Sequence, residues 1–70
     1  MPLDPKQIGK RVRSERRRLA MSQSALAKLI GTTQGHVSGW ERGYHMMSLE
    51  TVAAISETLS VSLDQIVFGR

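Results

Sequence analysis

Apolar residues recur along this chain at spacings of three and four, and no segment alternates as a half-buried strand would. Ile8, Val12 and Leu19 mark one face of a first helix, and Leu26, Leu29 and Ile30 mark a second. Val37 and Trp40 fall one turn apart in a third, Leu49, Val52, Ile55 and Leu59 line a fourth, and Ile66 faces inward from a short fifth. The residues between these patterns are helix punctuation. Asp4, Pro5 and Gln7 have the order of a capping box with proline at the first helical position, and this helix is expected to end near Ala20 or Met21. Ser22 caps a helix to about Ile30, closed by Gly31. Thr33 caps one from Gln34 to Arg42, stopped by Gly43, and Tyr44 to Met47 form a loop. Ser48 opens the fourth helix, which ends at Ser60, where glycine is the easier residue. Ser62 and Gln65 form a second capping box and open the last helix, in which Val67 and Phe68 have no clear face. The expectation is an all-α fold, five helices in one compact domain over residues 1–70.

Seventy residues lie near the lower size limit for a domain that folds alone, and the chain has no cysteine to staple it. Packed helices, helped by dimerisation, must supply the stability. No apolar run approaches the roughly 18 residues of a membrane span, and Pro2, Asp4, Pro5 and Lys6 do not make a signal peptide. The expected location is the cytoplasm, with no membrane contact. The net charge is +4, and Lys6, Lys10, Arg11, Arg13, Arg16, Arg17 and Arg18 crowd the first quarter against Asp4 and Glu15. Such a cluster attracts polyanions or forms a solvated helix face. His36 and His45 are the only histidines and the acids are scattered, so no acid–base, metal or cofactor constellation emerges. No catalysis, cofactor or small-molecule ligand is expected.

The stretch Ser22 to Gly43, SQSALAKLIGTTQGHVSGWERG, carries the most information. Ala27 lets two short helices approach closely, and Gly31 can take the left-handed backbone of a sharp turn. Val37 and Trp40 pin the second of these helices to the core. With Glu41 also inward, Gln34, Gly35, Ser38, Gly39 and Arg42 point outward together, and His36 sits at the edge of that face.

SQSALAKLIGTTQ and VSGWERG resemble the helix-turn-helix of the lambdoid phage repressor and Cro family (XRE-type), and LETVAAISETLSVSLDQIVFG resembles the family's fourth and fifth helices. The similarity runs from about Ile8 through Gly69. It implies a lambda-repressor-like domain whose second motif helix lies in the major groove of double-stranded DNA, with dimers reading half-sites about 34 Å apart. Four positions depart from the pattern. Gly35 and Gly39 stand where longer polar side chains are common, Met47 where proline is common, and Ser60 where glycine is common.

The resemblance implies roles for individual residues. Gln34 stands at the helix start, where family members touch base edges, and its amide suits adenine N6 and N7. Ser38, one turn on, offers permissive base readout or a phosphate contact. Gly35 and Gly39 either let the backbone approach the bases or make no contact. Gln23 adds a side-chain bond to a phosphate already favoured by the second helix's N-terminus. Arg42, Tyr44 and His45 belong to the loop that grips the DNA backbone, and His36 touches phosphate or covers the turn. Of the arginines on the first helix, Arg11 is assigned to phosphate; Arg11, Arg13, Arg17 and Arg18 cannot all reach one strand. Arg16 falls on the inward stripe and needs a partner. The family pattern pairs it with Glu41, while one donor of its fork stays available for phosphate. Val67, Phe68 and the loop near Ser60 are the candidate dimer interface, with core packing as the alternative role.

The function expected is a sequence-specific DNA-binding transcriptional regulator, a repressor of this type, with few side chains for direct readout and correspondingly more reliance on DNA shape and phosphate. Two rivals stand beside it. One is an antitoxin or protein-interaction module that also binds its own promoter. The other is a non-specific nucleic-acid binder acting through the basic first helix.

Overall fold

A computed structural model describes residues 3–70; Pro2, one of the residues that argue against a signal peptide, lies outside them. Five helices follow in order: α1 (Pro5–Arg18), α2 (Gln23–Ile30), α3 (Gln34–Glu41), α4 (Leu49–Leu59) and α5 (Leu63–Phe68). Each begins where a short polar side chain can satisfy an orphan amide. Asp4 accepts from the Lys6 N–H, Ser22 from Ala25, Thr33 from His36, Ser48 from Thr51 and Ser62 from Gln65. No strand occurs among the described residues.

The core draws on every helix and one loop: Ile8 and Val12, Leu26 and Ala27, Val37, Met47, Val52, Ile55, Leu59 and Ile66. Burying a side chain of this size contributes roughly 1.5–3 kcal/mol. Buried Ala27 lets α2 and α3 close on one another, and Gly31 turns the chain between them at φ +77. The Gly31 and Thr32 N–H groups both donate to the Ala27 carbonyl, which ties off the end of α2. The third helix lies across α1 and α2 with Val37 inward, while α4 and α5 close the opposite side.

Three residues expected in the core are exposed: Leu19 at 41%, Leu29 at 63% and Leu49 at 78%. The causes are geometric. The first helix stops at Arg18, earlier than expected, and Leu19 follows as its cap, beyond the buried stripe. At about 100° per residue, burial of Ala27 with Leu26 and Ile30 turns α2 so that Leu29 falls outside the apolar arc. By the same geometry Leu49 stands about 90° from the centre of the arc formed by Val52, Ile55 and Leu59. Met47, placed in a loop by sequence, is a buried core residue.

The ends of α1 and α4 share one turn. Met21 N–H donates to Arg16 C=O and Ala20 N–H to Arg17, and in α4 Val61 donates to Ser56 and Ser60 to Glu57. Both turns need a left-handed residue, supplied by Ala20 at φ 54 and Ser60 at φ 56. A Cβ there costs roughly 1–2 kcal/mol. Ser60→Gly is therefore expected to stabilise the protein by about 1 kcal/mol, since glycine's greater freedom in the unfolded chain offsets part of the gain. A denaturation midpoint that fails to rise would contradict this.

Candidate nucleic-acid interface

The exposed side of α3 carries Gln34, Gly35 and Arg42, with half-buried Ser38 between them. Gly35 has open space where a Cβ would stand, the nearest atom being Thr33 Oγ1 at 3.9 Å. Gly35→Ala is accordingly expected to stabilise the protein by about 0.5–1 kcal/mol. Equal affinity of the alanine and glycine proteins for a bound duplex would exclude close approach of a base at this position.

Gly39 does not belong to the open face. It is buried, and the His45 ring lies over it, with Cδ2 only 3.1 Å from where a Cβ would stand. Of the two roles given to Gly39, backbone approach to the bases or no contact, its place in the fold favours the second: its missing side chain seats His45. Exposed His45 is thereby held at the end of α3 near Arg42 and Tyr44, and the Arg42 guanidinium sits 5.9 Å over the Tyr44 ring. His36 lies toward Trp40 rather than the open face. Its Nδ1 is 2.8 Å from Thr32 Oγ1 and its ring stacks on Trp40 at 6.0 Å. It covers the turn, the second of the roles weighed for it.

A chain of polar contacts runs from the interior to the start of α3. Arg16 Nε and Nη2 donate to Glu41 Oε2 and Oε1 at 2.7 and 2.8 Å, a bidentate pair between side chains on α1 and α3. Arg16 Nη1 donates to the Met21 carbonyl at 2.7 Å. Arg16 is 7% and Glu41 6% exposed. Hydrogen bonding to Glu41 raises the guanidinium further above its ordinary range, against the opposing effect of burial. The internal pair expected from sequence is present. Three of the five N–H groups of the fork are thus used within the fold, and the phosphate contact expected of Arg16 is left to the second hydrogens of Nη1 and Nη2, on a side chain that is nearly buried.

Gln23 Nε2 donates to Glu41 Oε1 at 3.0 Å, and Gln34 Nε2 donates to Gln23 Oε1 at 2.6 Å. Each amide nitrogen carries two hydrogens. Gln23 therefore keeps one N–H at the mouth of the α2 N-terminus. Gln34 keeps one N–H and its carbonyl oxygen, the donor and acceptor that adenine N7 and N6 require. The contacts fix both amides before any partner arrives.

Arg11 is elsewhere. Its Nη1 donates to the Ile66 and Val67 carbonyls at 3.3 and 2.9 Å, so it ties down the end of α5. The phosphate role assigned to it is corrected: it serves the fold. The cations that do share a cleft with Gln23 and Arg42 are Lys6, Lys10 and Arg13. Their spacing of four and three was the signal available in the sequence. Val67 is half-buried and Phe68 exposed beside it. Both line an apolar groove with exposed Leu3, Met46, Leu49 and Leu63. Ser60 does not line that groove.

The helix-turn-helix family model matches residues 12–66. Repressor protein C2 of Salmonella phage P22 is 34% identical over 62 residues, which are 89% of this chain and 29% of the phage protein. The chain thus spans less than a third of that relative's length. The P22 c2 repressor, solved in complex with a synthetic operator, superposes with TM-score 0.85 at 33% identity, covering 90% of this chain and 96% of that one. The restriction-modification controller protein C.AhdI of Aeromonas hydrophila gives TM-score 0.85 at 30% identity, covering 90% and 96%. Hydroxypropylphosphonic acid epoxidase of S. wedmorenis also contains the fold, at TM-score 0.85 and 25% identity, over 91% of this chain but 34% of its own. Architecture alone therefore does not choose a function, and the side chains of the site must do so.

Proposed function

This chain belongs to the helix-turn-helix family, and from that premise we propose that it is a sequence-specific regulator of transcription that reads double-stranded DNA with α3 in the major groove. The observation that carries this reading is the open face of α3. Gln34 is pre-positioned by Gln23 beside the N-terminus of α2, and Arg42 closes the other end. A phosphate at Gln23 and a base edge at Gln34 are then addressed by neighbouring, mutually fixed amides.

The likeness to a phage repressor that was solved on an operator favours a repressor that acts by occupying a promoter. The likeness to a controller protein is compatible with the same binding chemistry serving activation when the operator lies upstream. In this reading two copies bind together, one per half-site, through the apolar groove that includes Val67 and Phe68. The protein works in the cytoplasm or nucleoid. In this reading it acts by binding and carries no catalysis. No helix among the described residues is long and apolar enough to cross a membrane.

Selection of bound duplexes from a random pool tests the proposal. A two-fold-related site is expected, with half-site centres about 10–10.5 base pairs apart or a multiple of that. Gln34→Ala should relax the preference at one base pair per half-site, by about 1–3 kcal/mol, while leaving random-duplex binding nearly unchanged. A pool returned without any preferred sequence would refute sequence-specific regulation.

A further inference from the structure

Beyond the α3 face, α1 carries a second charged surface that the reading above does not use. Lys6, Lys10, Arg13 and Arg17 are spaced by four, three and four. At about 100° per residue they fall within about 60° of one another and form a single stripe. The stripe is exposed along its whole length. Lys6, Lys10 and Arg13 share one cleft with Gln23 and Arg42, and Lys10, Arg13 and Arg17 share a neighbouring one. Charge is thus continuous from the recognition helix onto α1. The one carboxylate lining these clefts, Glu41, is already held by Arg16 in a bidentate pair. Glu15 lies on the far side of the helix and bonds Arg18 at 3.0 Å.

Other α1 arginines differ in kind. Arg11 and Arg16 are spent on backbone carbonyls and Glu41, and Arg18 on Glu15. The four stripe residues form no hydrogen bond to another side chain among those of the described residues. They are long, exposed donors without a side-chain partner among the described residues. Four like charges within three turns repel one another, and a polyanion laid along them relieves that repulsion. The stripe runs for roughly 16 Å at 1.5 Å per residue. One DNA strand presents a phosphate every 3.4 Å of axis, so a stripe of this length addresses several in succession.

We propose that this stripe is a second phosphate track, which extends the protein's grip along the DNA backbone past the segment held by Gln23 and Arg42. The inference rests on the DNA-binding reading above. It adds a sequence-independent contact made by α1, whose share of the affinity is separable from base readout. Its ligand is the duplex backbone, and its contribution is electrostatic, through release of condensed counterions.

The test compares two doubly substituted proteins of equal net charge, Lys10→Gln/Arg13→Gln on the stripe and Arg18→Gln/Arg70→Gln off it. All four positions are exposed, and circular dichroism confirms the fold of each protein. Affinity for a selected duplex and for a random duplex is measured from low to moderate salt. The stripe variant is expected to flatten the log–log salt dependence by about one unit per lost phosphate contact, so by about two per bound protomer, equally for both duplexes. The off-stripe variant should keep the parent slope. Equal slopes for the two variants would overturn the proposal, as would retention on vesicles of anionic lipid with no duplex bound. A parent that prefers no sequence but loses its salt dependence in the stripe variant would support the track while sinking base readout. A parent that binds neither duplex would end both.

Discussion

Replacing Glu41 by alanine is expected to cost about 3–5 kcal/mol, the largest effect of any single change outside the apolar core. Glu41 receives both arms of the Arg16 fork in a nearly closed site. Removal leaves a buried guanidinium with only the Met21 carbonyl to answer it. A domain of this length has roughly 0.05–0.15 kcal/mol of stability per residue, so the loss is a large share of what is available. Thermal unfolding should fall by well over 10 °C, at several degrees per kcal/mol for a domain this small. The converse experiment separates charge burial from packing. Arg16→Met/Glu41→Leu, which removes both charges, should recover much of the loss, because an apolar pair needs no desolvation of ions. The sign with pH also follows. The Arg16 value is raised on folding, so its contribution is complete below the ordinary guanidinium range and fades only as pH rises through the raised value. The guanidinium therefore introduces no pH dependence near neutrality. A loss below about 1 kcal/mol on Glu41→Ala would mean that the pair behaves as an exposed one.

Gly9→Ala is the second large effect. In a helix interior alanine is favoured over glycine by about 1 kcal/mol, yet here the added carbon would stand 2.3 Å from the Trp40 carbonyl oxygen and 2.7 Å from that of Glu41. Both obstacles are backbone and cannot rotate away. The helices must separate where the Arg16–Glu41 pair joins them. Forcing atoms into such a contact costs about 1–3 kcal/mol or more, and movement of the pair adds to it, so a net loss of at least about 2 kcal/mol is expected. The remaining folded protein should also bind duplex more weakly, because α3 is displaced relative to the cations of α1. Unfolding at the parent temperature with unchanged duplex affinity would show that the close approach is dispensable.

The contrast between these two residues shows what was legible in the sequence. All five helix starts could be read because an N-cap is local chemistry, a short acceptor one residue ahead of the helix. The ion pair could be read because an arginine on an apolar stripe requires a counter-charge, and the resemblance supplied its position. Gly9 could not, since close approach depends on how α1 crosses α3, and that crossing is set by the packed core. The same holds for Leu29 and Leu49, whose spacing fitted an apolar face until Ala27 and Ile55 fixed the rotation of their helices. Gly39 looked like a gap in the reading face and proved to be a seat for His45, a residue six places on in a loop with no periodicity. Arg11 reaches carbonyls 55 and 56 positions away, beyond any local pattern. Such cases share one cause: sequence spacing gives the angle of a residue about its own helix, while its partner is fixed by the relation between helices.

The central claim is that a duplex settles on the face formed by the start of α2 and the open side of α3. Titrating the isotopically labelled protein with a selected duplex, and following backbone and side-chain amide shifts, addresses it most directly. The account predicts the largest changes at Gln23, Gln34, Gly35, Ser38 and Arg42, including the side-chain amides of both glutamines, with Leu29 on the far side of α2 nearly unmoved. Shifts that spare those five residues and gather around Leu29 or Glu57 would contradict it.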